Sequence, residues 1–417
     1  MTSIQPRLLY ADEQGRIFDH PELRMLCRKG ERFELPRPKD LIQLPRGSDM
    51  FLLPQRRAVG MDPASGDLQY LDASAVAAFV CPGYTLTGIA AYLTRQGADP
   101  LPLFAYGAVG YDRDTFWVCA NQVDRDKRQQ FHSISQQAIE RGTRGLVKRH
   151  PDNRLIRHLA NCATQYNCPA AKNLALGRYE APLPTARHCN ADCVGCISYQ
   201  ASNSGFCPTQ ERISFRPTPD EITQVMQIHR RATSRPILSF GQGCEGEPLT
   251  ESETIGRAVA KFRKADREAT ININTNASLP DTIPRLARAG ISSLRVSLNS
   301  VRPELYHPYF RPRGYDLSDV MRAISAAKQE GLFVSLNYLF FPGVNDTEEE
   351  MEPLAELILR EGIDFLQLRN LNLDPELYFR VIPAPRTPAM GLSNFKSRLK
   401  KLFPWLDFGY FNPYLSG

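Results

Sequence analysis

From residue 218 onward the chain alternates between two hydrophobic rhythms. Short runs rich in Ile, Leu, Val and Phe, at 236–240, 269–275, 293–298, 333–341 and 365–369, predict buried strands. Segments with apolar residues at helical spacing lie between them, at 218–232, 254–264, 282–289, 317–330 and 347–361. Thr218-Pro219-Asp220-Glu221 supplies an N-cap, a proline at the first helical position and a capping-box acid. Gly290, Gly331 and Gly362 stop three of the helices. A shorter strand around 181–185 brings the number to six. Strict alternation implies right-handed βαβ units and a parallel sheet. The fold class is therefore α/β, a partial (β/α)6 parallel barrel, too short to close with eight strands.

Upstream the rhythm is different. Residues 7–125 read as β-rich, with short apolar runs such as Leu41-Ile42-Gln43-Leu44 and Met50-Phe51-Leu52-Leu53 between turn signals. The stretch 103–111 reads as a strand and 115–120 as its hairpin partner. Helices are expected at 128–139 and 153–166. Residues after 376 are rich in proline and aromatics and are expected to pack across the barrel mouth. This predicts an N-terminal β-rich domain (1–125), a helical connector (126–177), the partial barrel (178–375) and a short C-terminal extension (376–417).

Composition narrows the class. Apolar residues make up 42% and charged residues 23% of the 417 positions, with a mean hydropathy of −0.35, which reads as a soluble globular chain. The most apolar stretch, 73–93, is interrupted by Pro82-Gly83 and is no membrane span. Ten cysteines without a secretion signal point to ligand thiols in a reducing cytoplasm. The net charge of +6 is mild and too diffuse to argue for nucleic acid. Arg141 to Arg157 is locally basic but reads as a solvated helix face.

The stretch Cys189-Asn190-Ala191-Asp192-Cys193-Val194-Gly195-Cys196 stands out from this background. It places three cysteines on one short loop, spaced x3 then x2, and Asn, Asp and Gly disfavour regular structure there. Three thiolates can take three corners of a cubic iron–sulfur cluster and leave the fourth iron open, where ferredoxins supply four cysteines. A zinc knuckle with His188 is the alternative, but zinc wants a matching C-x2-C or His pair. Cys162 and Cys168 could hold a second metal, with Cys119 or Cys207 completing it; two packed thiols is the plainer reading.

Ligands of parallel α/β folds sit at the C-terminal ends of the strands. Gly241-Gln242-Gly243-Cys244-Glu245-Gly246-Glu247-Pro248, Asn274 to Asn276, Ser297, Asn299, Asn337, Gln367 and Asn370 all fall at or near such ends. A rim this polar suits a hydrogen-bonding ligand. Gly241-x-Gly243-x-x-Gly246 also fits a dinucleotide fingerprint, but Glu245 and Glu247 would repel a pyrophosphate.

These motifs, in this order, resemble the radical S-adenosylmethionine (SAM) enzymes over residues 178–375, in particular their molybdenum-cofactor and peptide-maturase branch. The resemblance implies a [4Fe–4S] cluster on Cys189, Cys193 and Cys196, with SAM on the open iron. It implies SAM contacts at Glu245, Gly246 and Glu247, which resemble Gly-Gly-Glu-Pro with Pro248. It extends to Asn276 after the third strand, Ser297 and Asn299 in the fourth, and Asn337 in the fifth. Gly195 replaces the usual bulky apolar residue, Glu245 the first glycine, and Asn299 the customary Asp. The implied activity is reductive cleavage of SAM to a 5′-deoxyadenosyl radical that abstracts hydrogen from a peptide or small metabolite. A reductant such as flavodoxin or ferredoxin would supply the electron. An electron-transfer scaffold and a nucleic-acid-modifying enzyme are the competing classes. The polar rim argues against the first, and the absence of a basic face with stacking aromatics against the second.

Overall fold

The computed structural model describes residues 4–415. Seven parallel strands form a curled sheet in chain order: β1 (Glu180–Pro182), β2 (Ile237–Phe240), β3 (Thr270–Thr275), β4 (Ser293–Leu298), β5 (Phe333–Phe340), β6 (Phe365–Asn370) and β7 (Asp407–Gly409). Each pairs in register with its predecessor, as in Leu238 opposite Ile271 and Val296 opposite Leu336. The helices between them start and stop where the side chains dictate. Thr218 and Glu221 close a reciprocal capping box on the helix Pro219–Ala232, and Asp316 with Asp319 does the same for Leu317–Gln329. Gly290 (φ 107°) and Gly362 (φ 62°) end Ile283–Ala289 and Glu348–Glu361 in the left-handed conformation that glycine tolerates.

Several expectations are corrected. The barrel has a seventh strand, since Asp407–Gly409 adds to the edge at β6. Its three residues, with Asp and Gly, carry no strand pattern. The helix Pro303–Phe310, opened by Pro303, adds an element that the periodicity does not predict. The first connector helix runs Gln136–Arg149, capped by Ser135, about eight residues later than expected. The second runs Arg154–Thr164, capped by Asn153, and a third, Pro169–Ala175, follows. The strand expected from 103 begins only at Gly107, in Gly107–Asp112 paired with Thr115–Gln122.

The C-terminal extension does not simply cover the mouth. The helix Pro375–Val381 does lie over the strand ends, where Tyr378 reaches Asn299. The last residues instead pass beneath the barrel. The Leu415 amide donates to Thr270 Oγ1, at the first residue of β3, over 2.8 Å. Asn412 enters from this side and donates to Glu180, Ser239 and Asn274, while accepting from Gln367 at 2.9 Å. One buried amide thus links β1, β2, β3 and β6 and fills the lower lumen.

Strands between Arg7 and Gln122 form a separate twelve-stranded antiparallel sheet built around the long hairpin Asp49–Met61 and Leu68–Phe79. It leans on the upper half of β6, where Asn370 accepts from the Leu86 amide and donates to the Tyr84 carbonyl. The buried pair Arg56–Asp374 and the hydrogen bond from Thr85 to the Leu368 carbonyl fasten the same joint. One continuous apolar core runs from this sheet through the connector helices into the barrel.

Candidate functional site

The cysteine loop leaves β1 and is held from below by one carboxylate. Glu245 Oε2 accepts from the Thr185 and Ala186 amides at 2.7 and 2.9 Å. Its Oε1 accepts from the Gly241 and Gln242 amides at 2.6 and 2.8 Å. All four acceptor positions are therefore spent on the backbone. The expectation that Glu245 meets a ligand amine is corrected: the side chain is a strut between the β1 and β2 loops. Gly241 and Gly246 serve close approach between backbones, and Gly243 lies against the side chains of Gln210 and Ile197. A Cβ on Gly246 would lie 1.9 Å from the His188 carbonyl oxygen, and one on Gly241 1.7 Å from that of Asn274. That is the packing reason for the Gly-x-Gly-x-x-Gly spacing, in place of a phosphate cradle.

Glu247 has capacity left. Its Oε1 accepts from the Leu249 amide at 2.9 Å and from the Thr275 hydroxyl. Among the described residues its Oε2 accepts only from the Asn276 amide, at 2.8 Å. Burial pushes this carboxyl up to about 7, against the pull of those donors. Burial likewise lifts the Cys189 thiol, and the charge of Glu247 adds to it, so that it reaches about 11.

The loop's far side docks on the end of the helix Pro303–Phe310 and the turn that follows it. The Val194 amide donates to the Tyr309 carbonyl at 2.9 Å and Arg313 Nη2 to the Cys189 carbonyl at 2.9 Å. Asn190 receives the Asn276 side-chain amide at 2.9 Å and donates to Ser278 at 2.8 Å. With its polar backbone so anchored, the loop keeps three thiols in reserve. Burial and the fields of Cys196 and Cys189 push the Cys193 thiol far up, so this thiol ionises readily only beside a cation. Arg212 approaches Cys196 Sγ at 3.7 Å. The donor set suits an iron–sulfur cluster. Gly195 now has a reason: a Cβ there would stand 2.7 Å from the Tyr309 hydroxyl. An aromatic from the neighbouring helix occupies the space that a bulky loop residue would need.

The remaining residues divide. Asn337 donates to Ser297 at 3.1 Å, and its own carbonyl oxygen is buried without a partner among the described residues. Asn299 is fully buried under Leu305 and Tyr378, also with an unpartnered carbonyl oxygen. Gln367, Asn274 and Asn370 are engaged within the fold, so part of the polar rim is internal bracing. Deeper in, Arg295 has only Gln367 as a hydrogen-bonding partner among the described residues, at 3.1 Å, and its Nε is unpartnered. Burial and the charge of Arg369 push it down to about 9. It also feels Glu180 across the curl, a position open only to a side chain inside the barrel.

The thiols outside the loop pair differently from expectation. Cys119 lies with Cys27 in the N-terminal sheet, and Cys207 is exposed, so neither completes a site at Cys162. Cys162 instead meets Cys244, of the β2 loop, and His158, one turn earlier on its own helix.

Residues 183–358 match the sequence model of the Radical SAM superfamily. They are a radical SAM domain. Radical SAM enzymes bind a [4Fe–4S] cluster and SAM. Over 196 residues the chain is 26% identical to a GTP 3′,8-cyclase of Aquifex aeolicus (strain VF5), covering 46% of this chain and 57% of the cyclase. It is 24% identical to the FeMo cofactor biosynthesis protein NifB of Klebsiella pneumoniae over 243 residues, 53% of this chain and 50% of NifB. The chain thus spans about half the length of the relatives it matches. Among solved structures, Streptococcus suis SuiB bound to S-adenosylmethionine overlays with a TM-score of 0.40 at 13% identity, covering 76% of this chain and 72% of SuiB. The sheet that precedes the radical SAM domain lies outside the family match. Among the described residues, no helix is long and apolar enough to cross a membrane.

Proposed function

We propose that this protein is a radical SAM enzyme in which Cys189, Cys193 and Cys196 hold the cluster. When bound, the reduced cluster and SAM together supply a 5′-deoxyadenosyl radical for hydrogen abstraction. The observation that carries the reading is the three-thiol loop clamped beside a buried acid with one acceptor position free. In this reading Glu247 receives the SAM ammonium, with Asn276 and Gly246 fixing its position. Ser297 and Asn337 offer hydroxyl and amide groups to the nucleoside, and the unpartnered Asn337 oxygen supports that assignment. Asn299 acts through Tyr378, since it is buried beneath that ring. Glu245 keeps the cysteine and SAM loops in register. Arg295 and Arg369 inside the barrel favour a substrate with an anionic group, because Glu180, the nearby acid, already binds Ser239 and Asn412. An external low-potential reductant such as flavodoxin or ferredoxin would deliver the electron.

The test is anaerobic reconstitution followed by a dithionite-driven assay for 5′-deoxyadenosine. Wild type is expected to bind close to four irons and to release the nucleoside; Cys193→Ala should do neither. Glu247→Gln should keep its iron and lose about 10- to 150-fold in SAM affinity, the worth of one charged hydrogen bond. Normal iron in Cys193→Ala would sink the cluster assignment.

A further inference from the structure

We infer that His158, Cys162 and Cys244 form a second metal site, for a single zinc-class ion, separate from the three-cysteine loop. His158 and Cys162 stand at i and i+4 on the helix Arg154–Thr164 and so share one face. Cys244 reaches them from the β2 loop. The ring nitrogen, the two sulfurs and every pair among them lie within 4.8 Å, with His158 Nε2 3.5 Å from Cys162 Sγ. A tetrahedral ion with bonds of about 2.0–2.3 Å separates its ligand atoms by about 3.5–3.8 Å. The spacing therefore fits one ion, whereas an iron–sulfur cluster spreads its thiolates over several irons.

The positions are fixed before any metal arrives. The Cys244 carbonyl accepts from the Ile213 amide at 2.8 Å. Glu245 next to it is tied by four backbone amides. Gly243 on the other side is hemmed in, since a Cβ there would meet Gln210 at 2.3 Å and Ile197 at 2.5 Å. Cys162 and Cys244 are both buried, and His158 is half-buried, so the site is closed. Cys168 follows just beyond the helix, with its amide donating to the Cys162 carbonyl at 3.0 Å. Its thiol stands outside the group of three ligand atoms that share the 4.8 Å spacing. Buried nitrogen and sulfur donors at this spacing are the donor set that zinc prefers. An ion held there would pin the connector helix to the loop that carries Glu245 and Glu247.

The test uses full-length protein purified anaerobically without added metal. Elemental analysis should find close to one zinc per chain besides iron. X-ray absorption at the zinc edge, which ignores iron, should show sulfur at about 2.3 Å and nitrogen at about 2.0–2.1 Å. Cys244→Ser and Cys162→Ser should lose the zinc, and Cys207→Ser should keep it. If the serine variants fail to fold, His158→Gln decides: folded by circular dichroism, it should bind zinc more weakly by over the roughly 10- to 100-fold that loss of an outer-shell partner costs. Three results would each overturn the inference. They are a wild type that takes up neither zinc nor cobalt on titration, zinc content indifferent to His158→Gln and Cys244→Ser, and a Cys162–Cys244 disulfide in protein alkylated before exposure to air.

Discussion

Replacing Gly246 with alanine probes the contact on which both cofactor loops depend. The added Cβ would sit 1.9 Å from the His188 carbonyl oxygen, where real contacts of this kind do not fall below 3.0 Å. The β2 loop and the root of the cysteine loop must therefore part by about 1.1 Å, the difference between those two distances. Neither atom belongs to a flexible side chain, so the backbone itself has to move. Two backbone–backbone hydrogen bonds cross this seam beside the Glu245 strut: Gly246 N–H to Ala186 at 2.7 Å and Glu247 N–H to His188 at 2.9 Å. Overpacking costs about 1–3 kcal/mol and each strained bond about 1 kcal/mol, for a total of roughly 3–5 kcal/mol. Denaturant unfolding of the metal-free protein reads that loss. Reconstituted iron and 5′-deoxyadenosine release read its consequence, since a misplacement of about 1 Å can cost about 100-fold in rate. Gly256→Ala is the control. Its Cβ would approach nothing closer than 3.9 Å in mid-helix, and it should stabilise by about 0.5–1 kcal/mol. A Gly246→Ala protein with wild-type stability and full iron would refute the reasoning.

Further outcomes follow from the same structure. Glu245→Gln puts an amide NH2 against two backbone donors and should cost roughly 2–5 kcal/mol by denaturant titration; a loss under about 1 kcal/mol would return Glu245 to the ligand contacts. Asp374→Asn leaves Arg56 buried without its countercharge and should cost about 3–5 kcal/mol, read from the unfolding midpoint. Glu221 is held down to about 2 by Arg154, so its contribution is present in full above about pH 4.5 and fades as pH falls toward 2. The stability gap between wild type and Glu221→Gln should close over that acid window, and a gap that stays constant down to pH 2 would contradict the pairing.

Much of the barrel was legible because periodicity, caps and glycine stops agreed. The Thr218 capping box and the Gly290 and Gly362 stops stand where the sequence puts them. Elements without a local signal were missed. β7 is three residues long and exists only because β6 offers an edge. The passage of Asn412 beneath the barrel depends on contacts with four strands distant in sequence. At the site, the three cysteines stood out by their spacing and Glu247 through the family resemblance, but the different surroundings of Glu245 and Glu247 were not legible. Two acids two residues apart look alike until the donors around each are known. The Cys162–Cys244 encounter likewise joins a helix and a loop 82 positions apart, and nothing in either segment announces the other.

The edge of β6 carries a consequence for how this domain can be moved. Its lower half is paired by Asp407–Gly409, and its upper half is covered by Tyr84–Leu86 of the N-terminal sheet. Both covers lie outside residues 183–358, the span that matches the superfamily. A fragment cut after β6, the end of the run of βα units, would therefore expose bare N–H and C=O groups along its last strand, an invitation to pair with a neighbouring molecule, and one cut to 183–358 would lose β6 as well and bare β5. The inherited unit and the self-sufficient unit differ here. Transplanting the barrel into another protein would require transplanting a replacement edge with it.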